Sequence, residues 1–284
     1  MSASKVMRRV EEMLVATPTS DGDGVRLMRV FGGGDLSRFD PFLMLDEFGS
    51  EEASDYIGGF PSHPHRGFET VTYMLDGHMQ HKDHMGNVGE LKNGDVQWMT
   101  AGSGIIHSEM PQQKHGRMRG FQLWLNLAAK DKMQPASYSD VPAAAIPVYP
   151  REGGSIKAIA GSLKGLQGHI SRPVTEPIYL DIVVENGVYA ESFAVPDGYT
   201  ALVYVYEGKV EVGGTVVRKS RLVRLSKQGT VEITANGPAK MLLIAGKPIG
   251  EPIVQYGPFV MNTREQIDQA LQDYRNGTLA RRRG

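Results

Sequence analysis

Two short segments carry side chains that bind transition metals. The first is His63-Pro64-His65. In an extended chain residues i and i+2 face the same side, so both imidazoles can meet one point. Pro64 donates no backbone hydrogen bond, which fits an edge strand or a strand start. The second is Gly102-Ser-Gly104-Ile-Ile-His107-Ser-Glu109, where His107 and Glu109 are again two apart. Each pair supplies half of a set of three nitrogens and one carboxylate oxygen. Such a set suits a first-row divalent ion with open positions for substrate or dioxygen. Either pair alone has a plainer reading, as a surface His-x-His or a chance His-x-Glu. The two together outweigh it. A purely structural ion is the blandest version, but closed structural sites usually use a tetrahedral Cys/His set.

The remaining chemistry is bounded by composition. The chain of 284 residues has no cysteine, which excludes disulfides, thiolate zinc sites, iron–sulfur clusters and Cys nucleophiles. Seven of eight histidines lie between His63 and His115, and His169 is the exception. His78, His81 and His84 fall in a polar hairpin stretch and read as solvated. Hydrophobic residues make up 40% and the formal net charge is −1, so a globular fold is expected and direct nucleic-acid binding is not. No run approaches the ~18 apolar residues of a membrane span. The opening MSASKVMRRVEEM lacks the apolar core of a secretory signal. A cytoplasmic monomer is the expectation, with nuclear residence open for a eukaryotic source.

The elements that must position these residues read as short strands between Gly, Asn and Asp turns. Thr70–Leu75 precedes Asp76-Gly77, Gly89–Leu91 precedes Asn93-Gly94-Asp95, and Leu202–Tyr206 precedes Glu207-Gly208. Such spacing predicts a β-sandwich or barrel. One helix is predicted near the end, capped by Thr263 with Gln266 three positions on, faced by Ile267, Ala270 and Leu271, and ended by Asn276-Gly277. The closing Arg281-Arg282-Arg283 reads as a solvated tail. Tyr73–Gly77 resembles Tyr204–Gly208, and the strand-turn order repeats after each. Two copies of one barrel follow: residues 1–132, a linker 133–150 rich in Ala, Ser and Pro, and 151–284 with the helix. Matching the repeats at their turns places His63 and His65 opposite Ala194 and Pro196, and His107 and Glu109 opposite Glu232 and Thr234. The second barrel is therefore expected to hold no metal.

The order of His-x-His, a Glu four residues on and a distant Gly-rich segment ending in His resembles the cupin pattern. The more specific resemblance is to the pirin family. It rests on Asp40-Pro-Phe-Leu-Met-Leu-Asp-Glu-Phe48, His63-Pro-His-Arg-Gly-Phe-Glu-Thr-Val-Thr-Tyr73, Gly94 through Pro111, and Gly120-Phe-Gln-Leu-Trp-Leu-Asn126. In the later half it rests on Ala245-Gly-Lys-Pro248 and Gly257-Pro-Phe-Val-Met-Asn262. The resemblance implies a mostly β bicupin, two cupin-type β-barrels with a short C-terminal helix and one metal in the first barrel. It places the ligands at His63, His65, His107 and Glu109. The carboxylate at Glu69, a ligand in generic cupins, becomes supporting structure. The implied cofactor is one divalent transition metal, Fe(II) foremost, with Cu, Ni, Mn, Co or Zn as alternatives.

Two activities follow from the resemblance. One is dioxygen-dependent cleavage of flavonols such as quercetin; in that reading a carboxylate at Glu109 suits the catalytic base, and Phe48, Phe68, Trp98 and Met99 either line an apolar mouth or are plain core. The other is metal- or redox-dependent regulation through a protein partner, a transcription factor or a metabolic enzyme.

Overall fold

Short runs in which every second residue is apolar can bury one face and wet the other, and the chain uses them throughout. In the computed structural model, which describes residues 6–172 and 174–280, these runs form two compact units. The first unit holds Thr17–Ala143 and Ile249–Gly284, and the second holds Ala144–Pro248 with the opening segment through Ala16. The Arg281-Arg282-Arg283 tail lies outside the described residues.

The chain opens with β1 (Val10–Val15), a strand of the second unit. The first unit then runs β2 (Thr17–Asp21), β3 (Val25–Gly32), β4 (Phe42–Ser50), β5 (Phe60–His65), β6 (Phe68–Asp76) and β7 (Met79–Asp83). It continues with β8 (Val88–Leu91), β9 (Val96–Thr100), β10 (Ile105–Pro111), β11 (Met118–Asn126) and β12 (Ser137–Val141). The second unit adds β13 (Val148–Arg151), β14 (Gly154–Ala160), β15 (Ser162–Leu163), β16 (Leu166–Gln167), β17 (Ile178–Val184) and β18 (Val188–Phe193). It is completed by β19 (Thr200–Val212), β20 (Thr215–Arg218), β21 (Arg221–Leu225), β22 (Val231–Asn236) and β23 (Ala239–Gly246). The first unit ends with β24 (Val254–Tyr256), β25 (Phe259–Met261) and α1 (Arg264–Arg275). The fold is thus mostly β, two cupin-type sandwiches with one α-helix among the described residues. No helix among them is long and apolar enough to cross a membrane.

The two units share one topology. In the first unit the larger sheet runs β12-β9-β6-β11-β4-β3-β2 and the smaller β5-β10-β7-β8. In the second the larger runs β1-β21-β19-β23-β17-β14-β13, with β18-β22-β19-β20 beside it. Tyr73 pairs with Val96 and Phe121, and Tyr204 pairs with Leu222 and Leu242, so the two tyrosines hold matching places. Where β6 breaks at Gly77 into β7, the second unit keeps one long β19 with a register shift between Val205 and Glu207.

Packing separates the two copies. The second unit has a continuous apolar core that includes Ile156, Tyr189, Phe193, Val203, Val231, Ile233 and Leu243. Its opening segment is tied down by Arg8, whose buried guanidinium donates to the carbonyls of Val195, Pro196, Tyr199, Ser226 and Gly229. The first unit instead has several smaller apolar clusters, one around Val25, Phe48 and Met118 and another around Leu43, Phe68 and Val260. Between them lie buried polar side chains. The predicted helix forms with a complete Thr263–Gln266 capping box, and packs Ile267 and Ala270 against Phe259 and Met261 of the first unit.

Candidate metal centre

β5 is the edge strand of the smaller sheet and its ladder partner is β10, a position at which a strand tolerates Pro64. The register sets His63 opposite His107 and His65 opposite Ile105. A bulge after His107 then sets Glu109 opposite Phe60. The three imidazoles converge: ring centroids lie 4.7 Å apart for His63 and His65, 4.3 Å for His63 and His107, and 4.9 Å for His65 and His107. One nitrogen from each lies within 4.8 Å of the others.

The other ring nitrogens are occupied in ways that free the converging ones. His63 Nδ1 is 2.8 Å from the Pro61 carbonyl, which can only accept, so Nδ1 carries the proton and Nε2 is bare. His65 hydrogen-bonds the Pro258 carbonyl, while its Nδ1 is buried without a partner. His107 Nδ1 meets His81 Nδ1 at 3.4 Å, and its Nε2 is likewise buried and unpartnered. Burial, then the neighbouring imidazoles, holds His65 and His107 well below the ordinary imidazole pKa. Both are neutral near pH 7. Buried polar atoms without partners cost about 1–3 kcal/mol each. A cation accepting their lone pairs removes that cost, so the donor set fits a first-row divalent ion.

Glu109 is buried and lines the same cavity, but its carboxylate stands outside the trio of nitrogens. Thr72 Oγ1 lies 3.1 Å from Glu109 Oε1 and 2.7 Å from the Gln122 side-chain amide. The amide atom facing Thr72 is the Gln122 carbonyl oxygen, so two acceptors share the single threonine proton. Glu69 lies elsewhere. Gly67 at φ +89° turns the chain between β5 and β6, which belong to different sheets. The turn carries Glu69 to Thr100, whose hydroxyl it accepts at 2.7 Å.

The cavity beside the histidines has a volume of about 700 Å³. Leu27, Met44, Phe48, Phe60 and Trp124 give it apolar walls. Of the four residues expected at the mouth only Phe48 lines it. Trp98 and Met99 are fully buried, and Phe68 packs behind His65 and Trp124. Trp124 and Gln122 carried a signal in the sequence, because they alternate along β11 with the buried Phe121, Leu123 and Leu125. Also lining the cavity, Arg29 forms a two-pronged ion pair with Asp46 at 2.9 and 2.8 Å.

One histidine expected in solvent is not there. His81 is 1% exposed and packs against His107, whereas His84 is exposed and His78 half-buried. The pleat of β7 explains it: Met79 and His81 share the inward face and Lys82 points out. The alternation Met79-x-His81 was the available cue.

The second unit presents no such cluster among its described residues. Its β18–β22 ladder pairs Phe193 with Val231 and Glu191 with Ile233. Tyr189, Phe193, Val231 and Ile233 face inward, while Glu232 and Thr234 lie on the other face. Matching the repeats at their turns therefore chose the outward face as the counterpart of His107 and Glu109.

Comparison with known proteins gives the same family at both ends of the chain. The family described as Pirin matches residues 24–125, and the Pirin C-terminal cupin domain matches residues 179–280. A Pseudomonas aeruginosa protein named "Putative quercetin 2,3-dioxygenase" is 53% identical, covering 96% of this chain and 98% of its own. Rattus norvegicus pirin is 39% identical over 97% and 94%. Among solved structures, a quercetin 2,3-dioxygenase from Acinetobacter baumannii superposes with a TM-score of 0.88 at 35% identity, over 96% of this chain and 99% of that one.

Proposed function

The chain belongs to the pirin family, and from that premise we propose that it is a metal-dependent dioxygenase that opens flavonols such as quercetin. The cofactor is one divalent transition metal, iron(II) foremost, held by His63, His65, His107 and Glu109. The observation that carries this reading is the meeting of three bare imidazole nitrogens, two of them buried and unpartnered, at a cavity with aromatic walls. The names of the Pseudomonas and Acinetobacter relatives support the substrate class.

When bound, the ion supplies Lewis acidity toward a hydroxyl placed on it. The chain supplies the rest. Phe48, Phe60 and Trp124 offer flat apolar surfaces to a flavonol and exclude water from its rings. Glu109 takes the proton of the flavonol 3-hydroxyl, and Thr72 steadies the carboxylate for that transfer. Arg29 and Asp46, which also line the cavity, can meet the phenolic hydroxyls that a flavonol carries at its edge. In the overall reaction both atoms of dioxygen enter the cleaved product and one carbon leaves as carbon monoxide.

The test is metal analysis of purified protein followed by quercetin turnover under air. Turnover that disappears on chelation and returns with a single metal supports the proposal. A fully metal-loaded protein without turnover overturns the enzymatic reading and leaves a metal-binding protein with a regulatory partner.

A further inference from the structure

Behind the three imidazoles runs a partly buried hydrogen-bond chain with a fixed direction. It begins at its far end with the carboxylate of Asp83, the last residue of β7. That carboxylate accepts from the backbone N–H of Met85 and Asn87, both at 2.9 Å, and from Asn87 Nδ2 at 2.7 Å. It is also hydrogen-bonded by Tyr138 of β12. A carboxylate with these partners only accepts, so the Tyr138 hydroxyl spends its proton on Asp83. What Tyr138 then shows to His81 Nε2, 3.1 Å away, is a lone pair. Gln97 also hydrogen-bonds the His81 ring, and its amide nitrogen donates to Asp140 at 2.8 Å. His81 Nε2 thus faces the lone pair of Tyr138. The proton of His81 belongs there, and its Nδ1 is bare. Between the two Nδ1 atoms 3.4 Å apart, His107 must be the donor.

We propose that His81 is a positioning residue for His107: the chain Asp83–Tyr138–His81 fixes the His107 proton on Nδ1 and leaves its Nε2 lone pair bare beside His63 and His65. The opposite arrangement would place an N–H on Nε2, the buried atom that has no acceptor. The chain also holds the ring's angle, since His81 stacks its edge on Tyr138 at 4.8 Å and tilts against His107 at 4.8 Å. Partners of this kind behind a metal-binding imidazole raise its basicity and commonly change metal affinity ~10–100-fold. The proposal deepens the reading of His107 as a ligand, but its tautomer assignment stands apart from any ion.

The test therefore has two arms. In metal-free, 15N-labelled wild type, long-range proton–nitrogen NMR should show His107 protonated at Nδ1 and His81 at Nε2. His107 protonated at Nε2 would overturn the proposal. In the second arm, Zn(II) affinity is measured by competition with a chelator. His81→Leu should bind ~10–100-fold more weakly, and His81→Gln should recover most of the loss, because its amide oxygen can accept from His107 Nδ1. Tyr138→Phe should weaken binding less than His81→Leu, since Gln97 still faces His81. Equal affinity in wild type and His81→Leu would sink the idea. A wild type that binds no Zn(II) removes the ligand assignment instead, and the NMR arm then decides this proposal alone.

Discussion

At the residue scale the site is a matter of neutral nitrogens held dry. His65 and His107 are kept below the ordinary imidazole value of 6.5, first by burial and then by neighbouring imidazoles. The unfolded chain therefore binds more protons than the native one below that value. Their contribution to stability is fully present above pH 6.5 and is lost as the pH falls toward the depressed native pKa. The metal-free protein should thus lose stability on acidification from pH 7 to 5. A His65→Leu/His107→Leu variant should lose less, and denaturant titrations at both pH values check this. Glu109 belongs to the same scale. At matched metal content Glu109→Gln should lower flavonol turnover at least tenfold while changing flavonol binding only slightly, as expected when a general base is removed. Equal turnover rates would remove that role.

Elements decide which residues can meet. β5 and β6 are neighbours in sequence but lie in different sheets, and the step between them needs Gly67. Its φ is +89°, and an added Cβ would come within 2.0 Å of the Val260 carbonyl. Gly67→Ala should therefore destabilise the fold by a few kcal/mol (~2–4), read as a lowered denaturation midpoint. Lys132 closes the same region, its ammonium donating to the Gly67 and Val260 carbonyls and to Asn126 Oδ1. Burial pulls its pKa down to about 7. A lysine with a depressed native pKa gains stability as the pH rises from 7 toward 10.5, because the unfolded chain holds the extra proton there. Lys132→Met strands three acceptors, each worth ~1–3 kcal/mol when unsatisfied. It should be less stable than wild type at both pH 7 and pH 9, with a gap that widens toward pH 9. A constant gap would show that Lys132 does not titrate in this range.

On the scale of the whole molecule, one strand order is used twice and filled differently. The first unit keeps polar groups and a cavity between its sheets, while the second packs Tyr189, Phe193, Val231 and Ile233 into the matching space. Inserting an ion there would mean opening a close-packed apolar interior. Purified protein should accordingly carry close to one ion per chain. The double variant His63→Ala/His65→Ala should approach none, and His107→Ala should also lose most of its occupancy. A second tight ion that survives the double variant would contradict this.

Much was legible in the chain by itself because strands and turns are local. Period-two spacing paired His63 with His65 and His107 with Glu109, Gly-rich turns marked the strand ends, and Thr263 with Gln266 announced the helix. Repetition of Tyr73–Gly77 at Tyr204–Gly208 foretold a shared topology. Three things waited for the tertiary structure. His81 looked solvated because its neighbours in sequence are polar, yet the pleat of β7 turns it onto His107. Which aromatic residues border the cavity depended on how two sheets face each other, so Trp124 entered and Trp98 did not. The face of β22 that corresponds to His107 could be read only from its ladder with β18, since a one-residue slip in an alignment reverses every side chain. Contacts across a sandwich join residues tens of positions apart, and no local spacing encodes them.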